Sequence, residues 1–405
     1  MNVVFVNRFY YPDESATSQL LTDLAVHLAA RGQVVHVVAG RQRYDQPGAI
    51  LPASETIDGV VVHRVWTTRF GRANLLGRAL DYATFYPSAA WRMLFLVSPG
   101  DVLVAKTDPP LISVVAWLCA LLRGAKLVNW VQDVFPEAAQ ALGVGGVSGV
   151  GPVLRWVRNL SLKGATRNVA LGRRMAAHLA EQGATAEAIS IIPNWADGAA
   201  IRPLLRDQNP LRRDWSMERK FVVGYSGNMG RAHEFSAIIG AAELLKNDPD
   251  IVFLFIGGGH GKAYIEIATA DRGLNNVHFK PYQDRAALGF SLTLPDVHLV
   301  SQLPESEGFV LPSKFYGIAA SGRPVAFIGA ADGEIARDVV RFDCGVAVRP
   351  GDAAGLAEFL RRLKEKPQLA AEMGGRIRDA FERQYDRPLS LAAWEKLLTD
   401  AGAAD

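Results

Sequence analysis

"FVVGYSGNMGRAHEF" (residues 221–235) contains the pattern that decides the fold. A β-branched run ends in Gly227. Gly230 and Arg231 follow, and a helical stretch begins just beyond them. This reads as a strand entering a helix through a tight glycine turn. Backbone N–H groups at such a turn and at a helix N-terminus attract anions, and Arg231 adds a planar fork of donors suited to a diphosphate. The alternative is that Gly227 serves close packing alone.

Working outward, the same strand-then-helix alternation repeats on both sides. A helix is expected over 233–246, with strands at 251–259, 277–282, 296–302, 324–329 and 345–350. Upstream, strands are expected at 2–7, 34–40, 60–65, 101–107, 126–133 and 190–194, with a helix over 18–32 stopped by Gly32. Strands separated by helices imply parallel sheets covered on both faces. Residues 195–219 are polar and proline-punctuated, and read as a linker. The expected fold is therefore α/β, with two doubly wound Rossmann-like domains, 1–200 and 217–385, facing a cleft at the carboxyl ends of their strands.

A chain of 405 residues with 49% hydrophobic and 21% charged residues is globular and long enough for two cores. Its two cysteines, Cys119 and Cys344, are far apart in apolar stretches, which fits buried thiols in a reducing, cytoplasmic setting. The N-terminus runs straight into a strand pattern and lacks the features of a signal peptide. The net charge of +3 conceals a basic region: residues 64–174 hold fourteen Lys/Arg against five Asp/Glu. Within it, Arg69, Arg72, Arg78 and Arg92 interleave with Phe70, Tyr82, Phe85, Tyr86, Trp91 and Phe95. That pattern suits either peripheral contact with an anionic membrane surface or an ordinary half-buried helix. No recognised nucleic-acid motif accompanies it, so nucleic acid is not an expected partner. "PPLISVVAWLCALL" (109–122) is too short to span a bilayer and reads as a buried helix of an α/β layer.

The richest stretch is "ESEGFVLPSKFYGIAASGRPV" (305–325). Glu307 can accept hydrogen bonds from sugar hydroxyls, and Gly308 lets a ligand approach the chain at Phe309. Pro312 and Ser313 start a helix whose first N–H groups, with Lys314, suit a bound anion. Asp133, at the end of a strand in "VQDVFPE", either serves as acceptor base and sugar anchor or caps the following turn. Glu334 either contacts a ligand or sits as a carboxylate at a helix N-terminus. "FIGGGHGKAYIE" (255–266) lacks dinucleotide spacing and reads as a βα turn, with His260 and Lys262 facing solvent. His27 reads as a surface residue. No HxxxE, DxD or His/Cys cluster suggests a metal.

Taken together, the turn at 227–231, "PNWAD" (193–197), "SEGFVLPSK" (306–314), "ASGRPV" (320–325) and "RPGD" (349–352) resemble the retaining, GT-B fold glycosyltransferases of family 4. The resemblance is strongest to the bacterial branch that builds capsule, O-antigen and colanic-acid-type polysaccharides. "FYYPDESATSQLLTDLAVHLAARG" (9–32) and "VQDVFPEAAQALG" (131–143) extend it over nearly the whole chain.

The resemblance implies donor-sugar contacts at Glu307, and an acceptor-side loop at Ser15, Ala16 and Thr17 beside the donor phosphate. It also implies a final helix, within 386–405, returning to the N-terminal domain. Three positions depart from the pattern. The second motif carboxylate falls on Gly317, and the usual phosphate-binding Arg and Lys fall on Asn228 and His233. Arg231 and Lys314 are expected to restore the missing charge.

The implied activity is metal-independent transfer from a nucleotide sugar, expected to be UDP-linked, with no cofactor beyond that co-substrate. The implied acceptor is a polyprenyl-diphosphate-linked saccharide at the inner face of the cytoplasmic membrane. A non-hydrolysing UDP-sugar epimerase, or a degenerate scaffold subunit of a polysaccharide assembly complex, is the alternative.

Overall fold

A computed structural model describes residues 1–43, 50–71, 75–144 and 149–403. Arg72, part of the basic–aromatic pattern, lies outside them. The chain forms two compact units. The first comprises Met1–Pro193, Phe309–Leu311 and Ser390–Asp405; the second comprises Asn194–Gly308 and Pro312–Leu389.

The first unit begins β1 (Asn2–Val6), α1 (Ala16–Ala30), β2 (Val34–Gly40), β3 (Ser54–Ile57), β4 (Val60–Val65) and α2 (Leu75–Leu96). It continues β5 (Val102–Lys106), α3 (Ile112–Arg123), β6 (Lys126–Trp130) and α4 (Glu137–Ala141). Then come α5 (Gly151–Gly164), β7 (Arg167–Ala170), α6 (Arg173–Glu181) and β8 (Ile189–Ile191).

Among the described residues these strands make one sheet in the order β3-β4-β2-β1-β5-β6-β7-β8. All pairs are parallel except the edge pair β3–β4. The order reverses between β1 and β5, so right-handed crossovers place α1 and α3 on opposite faces. Burial on both sides explains why β5 is apolar along almost its whole length. Phe85 and Met93 of α2 and Ile112 and Ala116 of α3 pack on Val4, Val6 and Leu103.

The second unit holds α7 (Pro210–Asp214), β9 (Phe221–Ser226), α8 (Ser236–Leu244), β10 (Ile251–Ile256), α9 (Lys262–Asp271) and β11 (Val277–Lys280). It continues α10 (Leu288–Thr293), β12 (Val297–Ser301), α11 (Lys314–Ser321), β13 (Val325–Ile328), α12 (Glu334–Arg341) and β14 (Gly345–Val348). Its last helices are α13 (Ala353–Glu365) and α14 (Pro367–Gln384). The all-parallel sheet runs β11-β10-β9-β12-β13-β14 and reverses between β9 and β12. The two units are thus both parallel-sheet, Rossmann-like α/β layers.

The closing helix α15 (Arg387–Ala403) belongs to the first unit from Ser390 onward. Trp394 is fully buried, with its ring centroid 4.5 Å from that of Trp130 at the end of β6. Glu395 accepts from His27 of α1 at 3.2 Å, so His27 is a clasp between helices and not the plain surface residue expected.

Three further expectations are corrected. Residues 195–219 are not a free linker. Arg212 of α7 is buried, donates to the Leu294 carbonyl and pairs with Asp296 at 2.8 Å, which pins the segment to the second unit. The helix over 109–122 is only half-buried, since Leu118, Leu121 and Leu122 face solvent. Strands β3 and β7 were not anticipated, because SETI and RNVA are short and polar.

Replacing Trp394 by Ala removes a fully buried aromatic and is expected to cost about 3–5 kcal/mol. Urea titration followed by hydrogen exchange should show the loss in β5 and β6, with second-unit amides keeping their protection.

Candidate active site

In the second unit, the turn after β9 lies at the switch point of the sheet, where open α/β sheets bind ligands. Gly227 has φ +114, a conformation other residues rarely adopt, and its N–H donates to the Ile256 carbonyl. The glycine turn after β10 packs directly on it: a Cβ at Gly257 would lie 2.3 Å from the Gly227 carbonyl oxygen. A Cβ at Gly259 would lie 2.2 Å from the Asn228 side-chain oxygen. Glycines 257 and 259 therefore hold the first turn in place. His260 is exposed, and Lys262 pairs with Glu266 at 3.4 Å.

Lys314 reaches this turn. Its ammonium stands 3.7 Å from the centroid of the buried Tyr225 ring and donates to the Asn228 carbonyl at 3.3 Å. The Tyr225 hydroxyl donates to the same carbonyl at 3.1 Å. Among the described residues no carboxylate pairs with Lys314. Burial pushes its pKa well below the ordinary lysine value. A cation–π contact stabilises by about 0.5–2 kcal/mol, less than the several kcal/mol that withdrawing an ammonium from water costs. The balance leaves a cation suited to an anion delivered from solution. Tyr225 was missed by sequence reasoning because an aromatic inside a strand reads as core.

Arg231 is exposed on the same turn, beside Gly230. The N-terminus of α8 does not serve as the anion site expected there. Glu234 accepts from the Ser236 N–H at 2.5 Å and so occupies that helix end with the protein's own carboxylate. His233 is held neutral: burial, then the Lys314 charge, lower its pKa to about 3, and its Nδ1 lies 2.6 Å from the Ser301 carbonyl oxygen. It cannot replace a phosphate-binding cation at neutral pH.

Glu307 follows β12, and Gly308 adopts φ +81. The Glu307 carboxylate accepts from the Glu334 N–H at 3.0 Å and lies against Gly333, so it caps α12. Glu334 is the first residue of α12 and is half-buried. Ser313 is exposed and makes no side-chain cap, while the Phe315 and Tyr316 N–H groups at the start of α11 donate to the Pro312 and Ser313 carbonyls at 3.2 and 3.3 Å. At Gly317, one turn along α11, a Cβ would come 3.1 Å from Cδ1 of the buried Leu292. His298 lies against the Leu292 carbonyl, with Nε2 2.8 Å away. Leu292 would have to give by a few tenths of an ångström before a longer side chain could start there.

In the first unit, the loops after β1, β5 and β6 carry the remaining candidates. Ser15 precedes α1, and its N–H donates to the Asp13 carboxylate at 2.9 Å. Ala16 is exposed. The Thr17 carbonyl accepts from the buried Lys106 at 2.8 Å, and Lys106 lies 3.5 Å from the Trp130 ring centroid. Asp133 is exposed at the edge of a recess lined by Thr107, Leu111, Asn129 and Phe135. The protein mass around that recess, then the Asp108 carboxylate, raise its pKa to about 6. Its N–H donates to Thr107 Oγ1 at 3.2 Å. Phe309, expected with the donor-binding set, groups with the first unit instead. Its carbonyl accepts from Val134 at 2.9 Å and its ring stands edge-on to His178.

Glu307→Gln keeps an acceptor for the Glu334 N–H, whereas Glu307→Ala does not. Thermal melts should show Ala less stable by about 1 kcal/mol and Gln close to the parent. Both should lose turnover if the carboxylate also meets substrate.

Comparison with known proteins reports on the same two halves. A glycosyl transferase 4-like domain matches residues 17–195, and a glycosyl transferases group 1 domain matches residues 207–380. The chain is 32% identical over 251 residues to Escherichia coli (strain K12) WcaI, named as a colanic acid biosynthesis glycosyl transferase. That match takes in 60% of this chain and 61% of the relative, so the chain spans about three fifths of the relative's length. Among solved structures, sucrose-phosphate synthase from Thermosynechococcus elongatus superposes with TM-score 0.81 at 16% identity, over 100% of both chains. Anabaena Alr3699/HepE in complex with UDP-glucose gives TM-score 0.72 at 16% identity, over 99% of this chain and 100% of that one. With both halves matched and the paired Rossmann-like layers in place, the chain belongs to the GT-B fold glycosyltransferases that join a glycosyl transferase 4-like domain to a group 1 domain.

Proposed function

We propose that the protein transfers a sugar, with retention, from a UDP-sugar to a polyprenyl-diphosphate-linked saccharide in the synthesis of a cell-surface polysaccharide. The observation that carries this reading is Lys314, a half-buried ammonium that no carboxylate pairs with among the described residues, set over the Gly227–Asn228 turn. A diphosphate supplies the charge that Lys314 lacks. Arg231 adds a fork of donors, and the positive end of the α11 dipole adds about 0.3–1 kcal/mol. As the bond from the sugar to UDP breaks, negative charge grows on the leaving diphosphate, and these groups stabilise it without a resident metal. The acceptor oxygen forms the new bond on the same face, and its proton passes to Asp133. Glu307 holds the donor sugar hydroxyls. The Anabaena relative's UDP-glucose complex and the colanic acid name of the Escherichia coli relative support the choice of donor and product class.

Calorimetric titration with UDP, GDP, ADP and TDP tests the donor. UDP is expected to bind best, and Lys314→Met to weaken it about ten-fold or more. Because the Lys314 pKa is lowered in the free protein, UDP binding should take up a proton, and affinity should fall as pH rises. Failure of every nucleotide to bind would favour the scaffold alternative.

Turnover should persist in EDTA and decline below about pH 6 as Asp133 protonates. Asp133→Asn should remove that limb from the residual rate. A limb unchanged in this variant would exclude Asp133 as the base.

A further inference from the structure

Three helices of the first unit lie side by side, with α3 between α2 and α5. Their packing is close. Cys119 Sγ approaches the Ala90 carbonyl, Ser161 Oγ donates to Ser113 Oγ at 3.0 Å, and a Cβ at Gly164 would lie 2.1 Å from Trp117 Nε1. The outward faces are not those of soluble helices. Along α2 the exposed positions Leu76, Leu80, Ala83, Pro87, Trp91 and Phe95 recur every three or four residues and are all apolar. On α3 Leu118, Leu121 and Leu122 are exposed beside Arg123, and on α5 Pro152, Val153 and Trp156 are exposed, with Lys163 further along. Trp91, Phe95, Leu121, Leu122 and Trp156 each expose between 65% and 72% of their surface. An apolar face of this extent on a soluble unit marks a binding surface.

The charge on these helices has one sign. Their one acidic residue, Asp81, is fully buried and paired with Arg8 at 3.1 Å. Arg78, Arg92, Arg123 and Lys163 stand around the apolar positions, while Arg155 pairs with Glu137 of α4 at 3.1 Å. Beside α2 an open hollow of about 460 Å³ is lined by Trp66, Pro87, Trp91 and Arg92. Arg92 is steadied by His63, which burial and Arg92 itself keep uncharged by lowering its pKa to about 4. Two tryptophans and a guanidinium around such a hollow suit the boundary between acyl chains and anionic headgroups. No helix among the described residues is long and apolar enough to cross a membrane.

We infer that the outward faces of α2, α3 and α5 form one docking surface for the face of an anionic lipid bilayer. The inference deepens the reading of a lipid-linked acceptor and rests on it for the choice of a bilayer over a soluble partner. Charge complementarity supports the same choice. A second copy of this chain meeting the face symmetrically would bring like charges together, whereas an anionic surface neutralises them. The surface lies flat on the lipid, so the protein is held reversibly, by shallow aromatic and leucine insertion together with arginine–headgroup attraction.

The test is co-sedimentation of the full chain with phosphatidylcholine vesicles, with and without about 30% phosphatidylglycerol. Wild type is expected to pellet with the anionic vesicles, and less so at high salt. The combined variant Trp91→Ser, Phe95→Ser, Leu121→Ser is expected to lose about ten-fold in vesicle affinity while its UDP titration and circular dichroism stay unchanged. Equal pelleting of wild type and variant overturns the inference, as does failure of wild type to bind anionic vesicles. A stable dimer in analytical ultracentrifugation that the variant splits also overturns it. Vesicle binding with no UDP binding would leave this surface standing and sink the donor reading instead.

Discussion

A parallel sheet must be covered on both faces, and that requirement sets where chemistry can take place in this chain. Helices take the faces, and the strand edges face neighbouring strands, so the loops at the carboxyl ends of strands are left to vary. In the second unit, loops after β9, β10, β12 and β13 bring Gly227, Gly257, Glu307 and Glu334 to one end of the sheet. In the first, loops after β1, β5 and β6 do the same for Ser15, Asp108 and Asp133. Each set centres on the place where strand order reverses, because there the adjoining loops run to opposite faces and leave a gap.

Each unit also places a lysine over an aromatic ring at that position, and the pair differ in an instructive way. Lys106 is sealed: its ammonium lies over Trp130, donates to the Thr17 carbonyl, and feels the fields of Asp23 and Asp108. Lys314 has a ring and a carbonyl too, but its side chain remains partly open, and burial is the one cause of its lowered pKa. The first lysine completes a core. The second carries a charge that no neighbouring carboxylate among the described residues answers. The Leu292 contact at Gly317 belongs to the same economy of space, since α10 packs close enough on α11 that a side chain there would press on Leu292.

Much of this was legible in the sequence because the signals are local. Strand periodicity, the glycine turn at 227–230 and the helix start near Ser313 depend on residues close together in the chain. What escaped depends on partners far away. Arg212 reads as a linker cation until Asp296 and the Leu294 carbonyl are seen around it. Glu307 reads as a free ligand until the start of α12 comes to meet it. The outward leucines of α3 read as core because hydropathy alone does not say which face of a helix has a neighbour. The RNVA strand was missed since its polar residues find buried partners, such as Asn129 for Asn168.

The return of α15 has a consequence for the order in which the chain can fold. His27 meets Glu395, 368 residues later, and the Trp130 ring waits for Trp394. During synthesis the first unit emerges early but lacks the helix that closes it, while the whole second unit is made in between. The usual rule that the leading domain folds first therefore applies only in part. The second unit can complete itself while the first still exposes the apolar seat of α15. Residues made after the second unit thus finish a unit that was begun before it.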